Sequence, residues 1–194
     1  MNFFWKKSNN TQGNDLTEKV GQAIIEVASK TTVSDEAFQT EARKVSLELS
    51  EESIDVFQIF FHNPPEIPIE LNDYYGGFGH WLSVCQFASF EILFNFREKS
   101  LPLIRKVAFG EYDWIQGNAI EILCRFAAEN IEREKIITEL KREIPEMRLE
   151  ALEYAARPLL KYAKTDLKIQ QVLNELDIEE FQEIIEEFKS EIPE

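Results

Sequence analysis

The sequence predicts an all-α protein made of antiparallel helix pairs stacked into an array, and three observations carry that expectation. Breakers are scarce, with seven glycines and seven prolines in 194 residues, against abundant Glu, Leu, Ile and Ala, which lose little freedom in a helix. Apolar residues recur at helical spacing in one segment after another. One short pattern also occurs three times, as Phe90-Glu91-Ile92-Leu93, Ile120-Glu121-Ile122-Leu123 and Leu152-Glu153-Tyr154-Ala155, at intervals of 30 and 32 residues. Alanine stands one or two positions ahead of each (Ala88, Ala119, Ala151). A period in this range, with two helical runs per unit, marks an array that works as a surface.

Taken in order, residues 1–13 read as a flexible tail, polar apart from Phe3-Phe4-Trp5. Leu16, Val20, Ala23, Ile24 and Val27 place a helix at 15–29. Thr31 to Ser34 break it, and Ser34 ahead of Asp35 and Glu36 has the chemistry of an N-cap with acids in the first turn. The helix it opens runs to about Leu49 on Phe38, Ala42 and Val45. Ser50 is placed as the cap of a third, with Ile54, Phe57 and Phe61 on its apolar face. Pro64 and Pro65 end that helix, because neither can donate to the ladder. Residues 14–62 therefore read as N-terminal helices, a cap or a degenerate pair.

Residues 63–79 form the one long irregular loop, with three prolines and three glycines. A loop of this length inside a compact domain is often functional. From His80 the chain is nearly all helix. Residues 80–97 turn Trp81, Val84, Phe87, Ala88 and Leu93 inward, and Ser100 is placed as the cap of a partner at 101–110. Asp113 is placed as the cap of the next helix, whose partner at 131–143 uses Ile136, Ile137 and Leu140. A long helix at 146–163 buries Leu149, Leu152, Ala155, Ala156, Leu159 and Leu160, with Pro158 expected to kink it. Thr165-Asp166 open its partner, which ends near Leu176. Residues 177–194 form an acidic capping helix with a ridge of Ile178, Phe181, Ile184, Ile185 and Phe188. Glu91, Glu121 and Glu153 are expected to face solvent or a turn.

The pairs 80–110, 113–143 and 146–176 resemble HEAT-type repeats. The features that carry the resemblance are the aligned Phe90, Ile120 and Leu152, the glutamate after each, and the second-helix pairs Leu103-Ile104, Ile136-Ile137 and Val172-Leu173. A proline within a first helix, as Pro158 would be, is common in that family. The family's frequent Asp and Arg at the turns within a repeat are absent apart from Asp113. The resemblance covers residues 80–176 and implies a short right-handed α-solenoid that binds protein along a concave face, with no fixed chemistry.

Charge narrows the partner. The net charge is −15, but residues 45–96 hold eight acids (Glu48, Glu51, Glu52, Asp55, Glu66, Glu70, Asp73, Glu91) and no Lys or Arg. The last eighteen residues hold eight acids against Lys189 alone. Nucleic-acid binding needs clustered Lys and Arg to release counterions, so this distribution argues against it. A partner with a basic surface fits, because complementary fields raise association rates. The bland account is that acidic helix faces keep the protein in solution.

No secretory leader pattern or membrane-length apolar run is found, and a cytoplasmic location is expected. Cys85 and Cys124 sit in apolar helical patterns as small hydrophobes. With two histidines and no Cys/His cluster, no metal or cofactor is assigned.

Two segments stand out as binding candidates. Asp73-Tyr74-Tyr75-Gly76-Gly77-Phe78-Gly79-His80-Trp81 either presents aromatic anchors to a partner or plugs the space between the N-terminal helices and the repeats. Tyr112-Asp113-Trp114-Ile115-Gln116-Gly117-Asn118 holds a cap and a packing tryptophan, while Gln116 and Asn118 near a helix start would share a rim with the first segment. The binding set is thus Asp73, Tyr74, Tyr75, Phe78, His80, Trp81, Asp113, Gln116 and Asn118. A narrower version is an immunity-type inhibitor that masks a basic toxin or nuclease. The rival class is an enzyme around Asp73, His80 and Asp113, with His80 as base, but no nucleophile motif or phosphate loop accompanies them.

Overall fold

The computed structural model describes residues 10–189, with side-chain surroundings from residue 15 onward. The Phe3-Phe4-Trp5 cluster and the last five residues lie outside them. Every regular element among the described residues is helical, so the protein is all-α. Among the described residues no helix is long and apolar enough to cross a membrane. The chain divides into two units, Met1–Phe96 and Arg97–Glu194, so the two helices expected to form the first repeat, 80–97 and 101–110, belong to different units.

In the N-terminal unit, α1 (Asn10–Ser29) packs on α2 (Asp35–Glu48) and on α5 (Phe78–Asn95), and α2 also packs on α5. Ser34 caps α2, its hydroxyl accepting from the Ala37 amide at 3.1 Å. Where a third full helix is expected, the chain makes a 3₁₀ segment (Glu51–Val56) and a single turn, α3 (Phe57–Phe60), and Ser50 gives no side-chain cap. With no such cap to open a longer helix, packing holds the segment: Ile54, Phe57, Phe60 and Phe61 are all buried. Phe61 stacks on Phe90 of α5 with ring centroids 5.1 Å apart. A 3₁₀ turn (Ile69–Leu71) and one helical turn, α4 (Asn72–Tyr75), interrupt the irregular loop, and α5 begins two residues earlier than expected.

The C-terminal unit holds α6 (Leu101–Ala108), α7 (Gln116–Ala128), α8 (Arg133–Glu143), α9 (Leu149–Ala163), α10 (Leu167–Glu175) and α11 (Glu179–Lys189). Helix α7 is its centre: all of its residues are buried, and it packs on α6, α8, α9 and α10. Its small residues explain how so many neighbours approach it. Helix α9 packs on α7, α10 and α11 and runs through Pro158 as one helix. Asp166 caps α10 by accepting from the Lys168 amide at 2.8 Å. Helix α11 docks on α9 through buried Phe181, Ile184, Ile185 and Phe188, with the Arg157 guanidinium 4.0 Å above the Phe188 ring.

Several expectations are corrected here. Phe90, Ile120 and Leu152 are all buried, but so are Glu91 and Glu121, which were expected to face solvent or a turn. Glu121 is held by Arg125 one turn on, 3.1 Å away, and the Arg125 guanidinium lies 4.9 Å from the centre of the Tyr162 ring. Phe87 and Leu149, read as interior, are exposed. Helical periodicity names a face, and these two sit at its margin. Ser100 does not cap α6, because its hydroxyl donates backward to the Arg97 carbonyl at 3.0 Å.

Candidate functional site

The loop that precedes α5 is fixed by two rings. Tyr75 is 3 % exposed. Its hydroxyl donates to the Ala28 carbonyl at the end of α1 at 2.9 Å and lies 2.6 Å from Thr31 Oγ1. Trp81, 2 % exposed, donates its indole N–H to the Pro65 carbonyl at 2.7 Å. The two rings lie against each other with centroids 5.1 Å apart, and His80 meets Tyr75 edge-on at 5.4 Å. The buried Gln86 amide adds a third tie, donating to the Phe61 carbonyl at 2.7 Å.

Two glycines set what faces out. Gly76 takes φ 55° as the left-handed end of α4, and Gly77 takes φ 155° just before α5. Both lie where a side chain is disfavoured, and a Cβ at either would meet nothing within 4 Å, so backbone freedom alone requires glycine. The reversal turns Tyr75 inward and leaves Tyr74 and Phe78 66 % and 67 % exposed. Glu66, Glu70, Asp73 and His80 are exposed in the same segment. A groove of about 470 Å³ runs along it, lined by Pro64, Pro65, Glu66, Ile67, Asn72, Gly77, Phe78 and Trp81.

The nine sequence candidates therefore separate. Asp73, Tyr74, Phe78 and His80 are exposed and grouped, whereas Tyr75 and Trp81 are the rings that hold the loop down. Asp113, Gln116 and Asn118 belong to the other unit. Gln116 and Asn118 are buried and form no rim. Asp113 is not the cap of α7: that position is Ile115, and Asp113 contributes its backbone carbonyl to the Gln116 amide at 2.9 Å. Trp114, read as packing, is exposed; the Tyr112 ring lies 6.4 Å from it, centre to centre, and the Arg148 guanidinium stands 4.4 Å from the Tyr112 ring centre.

Sequence reasoning missed what Gln116 does. Its amide donates to the Ala108 carbonyl that ends α6, at 2.8 Å. The same device recurs along the unit. Gln170 of α10 donates to the Ala163 carbonyl that ends α9, and Gln182 of α11 donates to Leu173 and Leu176 at the end of α10, at 2.9 and 3.0 Å. The last carbonyls of a helix lack partners within it, and here a glutamine of the next helix supplies the donor. The signal in the sequence is a glutamine within the first four residues of a helix.

As for chemistry, among the described residues no group of three His, Cys, Asp or Glu is placed to hold a metal ion. Both thiols are free and buried; burial pushes the Cys85 thiol up to about 12, and burial followed by the nearby Glu121 charge raises Cys124. Neither is a thiolate near neutral pH, so neither is an activated nucleophile. No protein-family description, curated protein or solved structure matches this chain.

Proposed function

We propose that this protein acts without catalysis, by binding another protein with a basic surface through the acidic, aromatic face of its N-terminal unit. One observation carries the reading. Tyr74 and Phe78 stand exposed on a segment held down by the buried rings of Tyr75 and Trp81, within a stretch that has eight acids and no Lys or Arg. An exposed aromatic on an anchored loop buries much area on binding and loses little freedom in doing so. Glu66, Glu70 and Asp73 around it would draw a cationic surface.

In this reading the C-terminal unit consists of HEAT-like pairs, α7–α8 and α9–α10, with α11 as the cap. Its support is that α7 packs on α9 and α9 on α11, as successive first helices of stacked pairs do. The unpaired buried thiols fit a reducing compartment, and a cytoplasmic setting is part of the proposal.

The test is comparative capture. The chain and its Tyr74→Ser/Phe78→Ser variant, both substituted at exposed positions, are immobilised and exposed to extract of the native cell, and retained proteins are quantified by mass spectrometry. The expected result is a basic protein retained by the first and lost by the second. Equal retention of the same proteins by both would remove this face from the account.

A further inference from the structure

Resting on that reading, we propose that the groove beside Trp81 receives a short basic peptide segment of the partner, with one large apolar side chain seated between Phe78 and the proline wall and Lys or Arg on either side of it. The composition of the walls argues for the apolar side chain. Pro64, Pro65, Ile67, Phe78 and the edge of Trp81 form an apolar trough, and its volume of about 470 Å³ suits one large side chain with part of a backbone.

The backbone of the wall argues for a peptide. Prolines at 64, 65 and 68 hold the residues before them out of the α region, and Pro68 itself has φ −59° and ψ 141°, the polyproline conformation. Among the described residues, the backbones of Glu66 and Ile67 take part in no hydrogen bond, although neither residue is buried. An extended wall with free N–H and C=O groups beside an apolar trough is how a sheet-like addition of a peptide begins.

Charge argues for the basic flanks. Glu66 lines the groove, Glu70 and Asp73 are exposed in the turns that follow, and the groove lining itself holds no Lys or Arg. An acidic segment would meet like charge there, and a neutral one would leave these carboxylates unmatched. Trp81 forms a fixed, almost fully buried floor, because its N–H is already committed to Pro65 and its ring to Tyr75. The trough is thus preformed, so little ordering cost falls on binding.

A displayed library of random dodecapeptides, panned on the full chain, tests this. The expected result is enrichment of peptides with net positive charge and one or two Leu, Phe, Trp or Met residues. Synthetic copies should move the Trp81 indole resonance in nitrogen–proton NMR spectra, and binding should weaken about tenfold in each of Phe78→Ala and Glu66→Lys. Both substitutions fall on exposed side chains, and circular dichroism is used to check that the variants fold. Basic peptides that bind both variants as tightly as the parent, with the Trp81 signal still, overturn the groove and leave the basic-partner reading standing. Enrichment of acidic or uncharged peptides overturns both.

Discussion

Gly117 of α7 lies directly against Tyr154 of α9: a Cβ built at Gly117 would stand 2.4 Å from the Tyr154 Cβ and 2.7 Å from the Ala151 carbonyl oxygen. The two helices meet backbone to backbone at this point, and only the missing side chain permits it. Gly117→Ala would gain about 1 kcal/mol of helix propensity in an unpacked helix. Here the clash has backbone on one side and cannot relax cheaply, so the net effect should be a loss of roughly 1–3 kcal/mol in urea unfolding. A neutral or stabilised variant would mean that α7 and α9 are further apart.

The glutamine ties give a second prediction. Gln116→Leu keeps the bulk but leaves the Ala108 carbonyl without its donor, which should cost about 1–3 kcal/mol. Ile120→Ala, in the fully buried heart of α7, should cost about 2–5 kcal/mol, whereas Leu149→Ala at an exposed site should stay within about 0.5 kcal/mol. Denaturant midpoints of the three variants check the ranking; an Ile120 variant no weaker than the Leu149 one contradicts the core assignment.

A third prediction concerns acid. Glu132 accepts from Arg105 at 2.8 Å and lies 3.3 Å from Lys135, while Arg105 also donates to Glu139 at 2.7 Å. The Arg105 hydrogen bond holds the Glu132 carboxyl below its usual 4.5, against the opposing effect of burial and with help from Lys135. A carboxyl lowered by folding stabilises the protein above its unfolded value, and that contribution fades as pH falls through the folded value. The stability difference between the parent and Glu132→Gln should therefore be present at pH 7 and shrink steadily below about pH 4.5. A difference unchanged at pH 3 would show that the pair is not its source.

How much of this was legible in the sequence follows from what periodicity measures. It located α1, α2 and α5 to α11, because each has an apolar stripe long enough to read, and Ser34 and Asp166 announced their caps. It did not locate the division after Phe96, since a contact boundary leaves no mark when helices continue on both sides. Polar residues inside helices misled it most. Glu121 and Gln116 look like surface residues until Arg125 and the Ala108 carbonyl are brought beside them. In the aromatic loop the residue types pointed to a site, but alternation between Tyr74 and Tyr75 decided which ring anchors the chain and which is offered outward. That choice depends on the turn at Gly76 and Gly77 and on the distant Ala28 carbonyl.

The division of labour between these rings is itself a prediction. Tyr75→Phe removes only the hydroxyl that reaches Ala28 and Thr31, so it should lower stability by about 0.5–1.5 kcal/mol. Tyr74→Ala should leave stability unchanged within about 0.5 kcal/mol and act only on binding. Thermal unfolding of the two variants decides it. Equal losses would contradict the assignment of anchor and exposed ring.

The central claim is that acids steer a basic partner to this face and exposed rings hold it. Association and dissociation rates of the captured partner test it most directly, measured at several salt concentrations. The Glu66→Lys/Glu70→Lys/Asp73→Lys variant should associate more slowly than the parent, and the gap should close as salt shortens the screening length from about 8 Å at physiological strength to about 3 Å at 1 M. Phe78→Ala should leave association nearly unchanged and speed dissociation about tenfold. An association rate indifferent to both salt and charge reversal would contradict the account and reduce the acidity of this face to a solubility feature.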